Sequence, residues 1–392
     1  MPSVTKQSKR YRLPQIPIRE ISSSQLRYGF LIAILLHLII IGLFYFDIVH
    51  DPFHQTGTWH FHQGGDQIGY FDLAQSLFNG QPIPSKFTLG YPLLLLPAIA
   101  VFHPTSADDL IPLSAILNAC LLFPVAQLFF VSLAYRILRS RTIALSGLIL
   151  WTLSPLIAYV LLALTGRADL GAVWGVHLAW LQMLSDPPAA FLTVLSFWLL
   201  FQICDRRGAT VLWSAALGLT CGFLLLLRIN TVISVSVVLL ILVIVRRWQA
   251  LGIVLALTFL CFIPQLTYNA AFFGNPLAFG YQVLEAQPPD GLMSFRYALQ
   301  FLHDHVLLAG IGGVCLLAFF ATVTYTLWGV DRVGAIALVL WGIGYLSFFS
   351  LYYYSWIGGA YRFLIPVYPA YSLLAVGLFM KRTEAKIVLR AE

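Results

Sequence analysis

Two arginines lie where a positive charge is costly unless an anion is close by. Arg362 directly precedes the last apolar stretch, so it opens the predicted final helix, where the helix dipole disfavours a cation. Because a helix N-terminus also favours phosphate, an anion is expected near Arg362. Arg228 ends another apolar stretch, and a charge there indicates function. The alternative for Arg362 is an arginine that extends to lipid headgroups or pairs with a loop acid.

Charge is scarce in this chain of 392 residues. Charged residues make up 10% and hydrophobic residues 59%, whereas an average soluble domain has about 25% charged residues. A soluble protein of this size needs far more charge on its surface, so a soluble enzyme is excluded, as are disordered, collagen-like and coiled-coil proteins. The composition predicts an all-α, polytopic membrane protein.

Ten apolar stretches are plausible crossings, given that a helix needs roughly 20 residues to span the hydrocarbon core. They are Tyr28–Phe46, Leu110–Tyr135, Thr142–Leu164, Ala189–Ile203, Val211–Leu227, Thr231–Val245, Ala250–Tyr268, Val306–Trp328, Val333–Leu351 and Phe363–Met380. We expect the first to be an uncleaved anchor, because no small-residue cleavage site follows it.

Most of the 23 basic residues fall on one side of these crossings. By the positive-inside rule that side is cytoplasmic and carries both termini, so we expect a plasma or inner membrane protein. The positive charge then reports orientation and not nucleic-acid binding. The predicted organisation is a basic cytoplasmic tail (1–27), a single transmembrane domain (28–380) and a second cytoplasmic tail (381–392).

The outer side is expected to carry the chemistry, in loops at 47–109, 165–188 and 269–305. In the first loop, Asp66 to Asn79 has apolar residues at helical spacing, which predicts an amphipathic helix on the outer membrane surface. The apolar run that follows at 90–102 is too short to cross and predicts a partly immersed helix.

Four loop motifs occur in a defined order along the chain. They are Asp66 followed by Tyr91-Pro92, then Ser185-Asp186-Pro187, then Tyr268-Asn269 with Phe273-Gly274-Asn275-Pro276-Leu277, and finally Gly358-Gly359 with Tyr361-Arg362-Phe363-Leu364-Ile365-Pro366. In this order they resemble the GT-C superfamily of membrane glycosyltransferases. The pattern is most similar to the branch with protein O-mannosyltransferases and lipid A aminoarabinose transferases. Since no soluble domain follows the last span, we expect a minimal, membrane-only member.

The resemblance implies a GT-C-like fold and a sugar transferase at the outer membrane face. The donor would be a polyprenyl-phosphate sugar, and the acceptor hydroxyl would belong to a glycolipid, polysaccharide or protein. Asp66 would be the general base, and Asp186 would orient the acceptor or support that base. The residues expected to bind substrate are Arg362, Arg228, Lys86, Arg296 and Tyr361, with His303 and His305 as further candidates.

Each acidic candidate also has a structural explanation. Asp66 is placed to act as the N-cap of its helix, and Asp186 before Pro187 fits an N-cap followed by proline at the first helical position. Asp169 is an alternative to Asp186. Asp109 is explained by a capping box with Ser106.

No cofactor is required by the predicted chemistry. His60 and His62 offer a weak alternative, a divalent metal site on an extended segment. Two other functions stay open beside the transferase. One is a lipid or sugar transporter or flippase, although no internal repeat is visible. The other is a non-catalytic subunit of an envelope glycan assembly complex.

Overall fold

The computed structural model describes residues 20–46, 64–164, 180–205, 210–285, 288–304, 326–353 and 363–377. Within these ranges the regular structure is helical, apart from one isolated β-bridge between Met293 and Tyr352. The predicted all-α fold is confirmed.

The described helices are numbered in chain order. They are α1 (Ser23–Tyr45), α2 (Gly64–Phe78), α3 (Gly90–Phe102), α4 (Ile111–Leu138), α5 (Arg141–Leu164), α6 (Asp186–Asp205), α7 (Thr210–Leu227), α8 (Val232–Ile244), α9 (Trp248–Phe273), α10 (Gly280–Val283), α11 (Phe295–Asp304), α12 (Arg332–Leu351) and α13 (Tyr368–Gly377). Short 3-10 helices occur at Ala107–Asp109, Ile229–Thr231 and Ile365–Val367, and α4 contains a π-helical stretch, Leu117–Leu122.

Six of the described helices are long and apolar enough to cross a membrane: α1, α4, α6, α7, α9 and α12. The predicted crossings near α5, α8 and α13 coincide with shorter apolar helices. The predicted crossing at 306–328 lies almost wholly outside the described residues. The chain is thus a multi-pass membrane protein.

Helix α2 is present as predicted, but two of its positions depart from the amphipathic pattern. Phe71, Leu73 and Ala74 are buried, whereas Ile68 is 50% exposed and the polar Gln67 only 2% exposed. Gln67 is buried because its side-chain oxygen accepts a hydrogen bond from the backbone N–H of Met183. The helix therefore packs into the protein partly through Gln67, a residue that the amphipathic pattern predicts to face water.

Helix α3 begins directly against the end of α7. At Gly90, the first residue of α3, an added Cβ would lie less than 3.0 Å from the backbone of Leu226 and Leu227. Glycine is needed here because no other residue allows this approach. The contact fixes the segment before α3 beside the last turn of α7.

A charged cluster ties together three helices at the opposite end of the bundle. Arg136 of α4 forms ion pairs with Asp205, the last residue of α6, and with Asp331, the N-cap of α12. Its guanidinium also lies 4.8 Å from the centre of the Phe201 ring. Two carboxylates thus compensate the charge of one arginine, because a cation in an apolar bundle is costly without such partners.

Candidate active site

A cavity of 630 Å³ lies among the end of α7, the start of α2 and the segments around α10 and α12. Its charged and amide side chains are Asp66, Lys86, Arg228, Asn230, Gln282 and Glu285. Its aromatic side chains are Tyr70, Phe87, Phe279, Tyr281, Phe348, Tyr352 and Phe363. The cavity therefore combines a small charged region with broad aromatic and apolar walls, as ligand sites commonly do.

Asp66 enters the cavity from the first turn of α2. The helix begins at Gly64, so Asp66 lies inside that turn and the N-cap explanation for it is wrong. One turn further along, the hydroxyl of Tyr70 is hydrogen-bonded to that of Ser185 at 2.8 Å. With the Gln67–Met183 bond, this contact holds the Asp66 turn against the segment that leads into α6.

Arg228 follows the last residue of α7 and forms an ion pair with Asp186, the first residue of α6. The side chains are 12% and 2% exposed, respectively. The Phe363 ring centre lies 5.2 Å from the Arg228 guanidinium, a cation–π contact. Arg228 lines the cavity, whereas Asp186 is buried and is not among the lining residues.

Lys86 lines another part of the cavity and pairs with Glu285 at 2.7 Å. Its Nζ also lies 5.4 Å from the ring centre of Phe87 and 5.7 Å from that of Tyr281. At Gly280, the first residue of α10, an added Cβ would lie under 3.0 Å from the backbone at Ser85 and Lys86. The pair thus joins two segments whose backbones are already in close contact.

The Lys86 segment is fixed to two transmembrane helices. The Thr88 hydroxyl donates to the carbonyl oxygen of Leu227 at 2.9 Å, and the backbone N–H of Leu89 donates to Gln265 Oε1 at 2.8 Å. Gln265 in turn donates to Asn269 Oδ1 at 2.8 Å. Helices α7 and α9 therefore determine where Lys86 lies.

Tyr281 lies beside Asp66 and Tyr70 in a buried part of the site. Burial raises the pKa of Tyr281 well above its ordinary value, and the nearby carboxylate of Asp66 raises it further. The phenol therefore stays protonated at neutral pH and keeps a hydroxyl that can donate a hydrogen bond.

Asn230, two residues after Arg228, has a side-chain oxygen that can accept a hydrogen bond. Its Oδ1 is buried and has no hydrogen-bond partner within the described part of the chain, although the residue lines the cavity. A buried polar atom of this kind costs stability and is uncommon in folded proteins. Asn230 is thus a candidate for accepting a hydrogen bond from a ligand.

Two main-chain hydrogen bonds join part of the cavity wall to the end of α12. The N–H of Ser294 donates to the carbonyl of Leu351 at 2.9 Å, and the N–H of Tyr353 donates to that of Leu292 at 3.0 Å. We call residues 292–294 the cavity strap. Leu292 and Met293 of this strap line the cavity.

The structure brings together Asp66, Arg228 and Lys86 of the predicted site residues, with Asp186 behind Arg228. Arg296 is elsewhere: its side chain is 70% exposed, pairs with Asp290 at 3.0 Å and does not line this cavity. The remaining predicted residues lie outside the described ranges: Arg362, Tyr361, His60, His62, Asp169 and His305. The side chain of His303 is not described either.

The described ranges contain no group of three or more His, Cys, Asp or Glu side chains that could hold a metal ion. The weak histidine candidates, His60 and His62, lie outside these ranges.

Sequence reasoning did not single out three lining residues, Tyr70, Tyr281 and Asn230. Two of them carried a usable signal. Tyr70 is one helical turn after Asp66, and Asn230 follows Arg228 at the same apolar helix end. Nothing local distinguishes Tyr281, which follows Gly280 at the point where that glycine packs on the backbone of Ser85 and Lys86.

No known protein family and no curated protein matches the chain by sequence. Among solved structures, it is similar to the apo form of the Archaeoglobus fulgidus oligosaccharyltransferase, with 13% identity and a TM-score of 0.50 over 90% of this chain and 50% of that one. The same enzyme tethered to an acceptor peptide gives 14% identity and a TM-score of 0.49 over 91% and 49%. The chain thus spans about half the length of the structures it matches. What the two proteins share is the fold.

Proposed function

We propose that this protein is a membrane glycosyltransferase that moves a sugar from a polyprenyl-phosphate donor to an acceptor hydroxyl. The observation that carries this proposal is one cavity lined by both a carboxylate, Asp66, and a cation, Arg228. A base and an anion-binding group facing the same space are the two elements that such a transfer needs.

The reaction follows from these two groups. The acceptor oxygen attacks the anomeric carbon while its proton passes to the Asp66 carboxylate. The bond between the anomeric carbon and the phosphate oxygen breaks, and its electron pair leaves with the polyprenyl phosphate. Attack from the face opposite the leaving group inverts the anomeric centre. The phosphate is a good leaving group, so Arg228 stabilises its charge and no strong general acid is needed.

The walls of the cavity suit an amphiphilic donor. Aromatic and apolar side chains surround the charged groups, and the cavity lies at the ends of apolar helices such as α7 and α12. A polyprenyl chain among the helices would leave the phosphate at Arg228 and the sugar in the cavity. Phe87, Tyr281 and Tyr352 offer ring faces and edges against which a sugar can pack.

The test is transfer from a radiolabelled polyprenyl-phosphate sugar to candidate acceptors by the reconstituted protein. We expect Asp66→Asn to lower the transfer rate by at least about 100-fold, because the acceptor loses its base. Asp72→Asn is the matched control, since Asp72 is an exposed carboxylate on the same helix. It should transfer at the wild-type rate.

Equal rates for Asp66→Asn and the wild type, with both folded, would show that the proposed base is wrong. Donor movement across the bilayer without transfer would favour the flippase. A protein that does neither but assembles with other envelope enzymes would be the non-catalytic subunit.

A further inference from the structure

We infer that the charge of Asp186, acting through Arg228, keeps the phosphate site from holding the polyprenyl phosphate product too tightly. The inference rests on the proposed function and adds a step to it, the release of product. It assigns Asp186 a part distinct from orienting the acceptor.

The geometry of the pair supports this assignment. Asp186 is buried and bonded to Nη1 of Arg228, while Arg228 itself reaches the cavity. On the Arg228 side there is also the Phe363 ring, so the guanidinium lies between a carboxylate and an aromatic face. A ligand in the cavity meets Arg228, and it experiences Asp186 only through its charge and through the guanidinium it orients.

Pairing with Asp186 leaves Arg228 able to bind phosphate. A guanidinium carries five N–H donors in a planar fork, more than one carboxylate can accept. The carboxylate changes the net charge that the phosphate meets: the Asp186–Arg228 pair is close to neutral, whereas Arg228 alone would present a full positive charge.

Donor and product differ in the charge of their phosphate. In the donor the phosphate is a diester with one negative charge. In the product it is a monoester, and with a second pKa of about 6 it carries close to two negative charges above neutral pH. A lone cation with 12% of its side chain exposed would therefore bind the product more tightly than the donor and slow each turnover. The buried carboxylate opposes this excess.

The experiment measures the affinity of the full chain in lipid nanodiscs for two probes at pH 8. The probes are polyprenyl phosphate and the polyprenyl-phosphate sugar. For the wild type we expect dissociation constants within about threefold of each other, because the pair presents little net charge. In Asp186→Asn the affinity for polyprenyl phosphate, relative to that for the sugar donor, should rise by about tenfold. One unit of charge near a buried site changes an affinity by at least that factor.

Two further variants separate charge from structure. Asp186→Glu keeps the charge and should keep the wild-type ratio. The double variant with Asp186→Asn and Arg228→Gln removes both charges and should bind both probes weakly without preference. A pair replaced on both sides is also less damaging to folding than one broken on one side.

Three outcomes would overturn the inference. In the first, Asp186→Asn weakens both probes equally or leaves the ratio unchanged, so that Asp186 serves only to hold Arg228 in place. In the second, the wild type itself already prefers the product tenfold or more, a result that stands even if Asp186→Asn does not fold. In the third, the wild type binds neither probe, so that the proposed function fails and this inference with it.

Discussion

The side-chain oxygen of Gln67 accepts a hydrogen bond from the backbone N–H of Met183 at 2.8 Å, and both residues are buried. The bond joins α2, which carries Asp66, to the segment that leads into Asp186 and α6. The bond therefore fixes the Asp66 carboxylate relative to the Asp186–Arg228 ion pair, although the bond itself lies outside the cavity.

Replacing Gln67 with methionine tests this link. Gln67→Met keeps the volume but leaves the Met183 N–H buried without a partner, which should lower the free energy of unfolding by about 2 kcal/mol. Gln75→Met on the same helix is the control, because the buried Oε1 of Gln75 has no hydrogen-bond partner among the described residues. Thermal unfolding in detergent measures both, and equal melting temperatures for the two variants would contradict the prediction.

Gly90→Ala should disturb the cavity from outside it. The new methyl group would overlap the backbone of Leu226 and Leu227, and such overpacking typically costs about 1–3 kcal/mol. Since Arg228 follows directly, transfer activity should fall together with stability. The control is Gly252→Ala in α9, where an added Cβ meets nothing within 4 Å. That variant should be as stable as the wild type or more stable, and a harmless Gly90→Ala would refute the close contact.

Glu285→Gln should strengthen anion binding at low salt. The substitution releases Lys86 from its partner and adds one positive charge to the cavity wall, so polyprenyl phosphate should bind several-fold more tightly. The gain should largely vanish in about 0.5 M salt, because the pair is partly exposed and screening is strong there. Asp290→Asn removes the same charge from the Arg296 pair outside the cavity and should leave the affinity unchanged. A gain that persists at high salt would count against the electrostatic explanation.

Asn230→Leu should separate sugar recognition from folding. Removal of a buried acceptor that has no hydrogen-bond partner among the described residues should leave the protein at least as stable as the wild type. The sugar donor should lose about tenfold in affinity, the worth of one hydrogen bond of about 1.4 kcal/mol. Sugar-free polyprenyl phosphate should bind as before, and equal losses for both ligands would show that Asn230 does not contact the sugar.

The arginine of the site is easier to predict from the sequence than the acid that pairs with it. Arg228 could be recognised from the sequence because a charge in an apolar stretch demands compensation. Its pairing with Asp186 could not be predicted, because Asp186 lies 42 residues earlier. Several other acids in the predicted outer loops were equally plausible partners. Which acid compensates Arg228 is decided by how α6 packs beside α7, and that is a tertiary property.

Helix α2 shows the same limit in another form. Its existence and approximate bounds follow from the spacing of its apolar residues, but the exposed Ile68 and buried Gln67 reverse the expected pattern. A periodicity argument expects every polar residue to face water. In a membrane, however, an exposed Ile68 can face lipid. A glutamine that satisfies a backbone N–H is then the better residue to bury.

The cavity strap has a consequence for how this protein can diversify. Two main-chain hydrogen bonds attach it to the end of α12, Ser294 with Leu351 and Tyr353 with Leu292. Leu292 and Met293 can therefore change in size and polarity while the attachment persists. New substrate preferences could arise by point mutation at these two positions, without compensating changes elsewhere. The strap is accordingly the place to begin directed evolution of specificity.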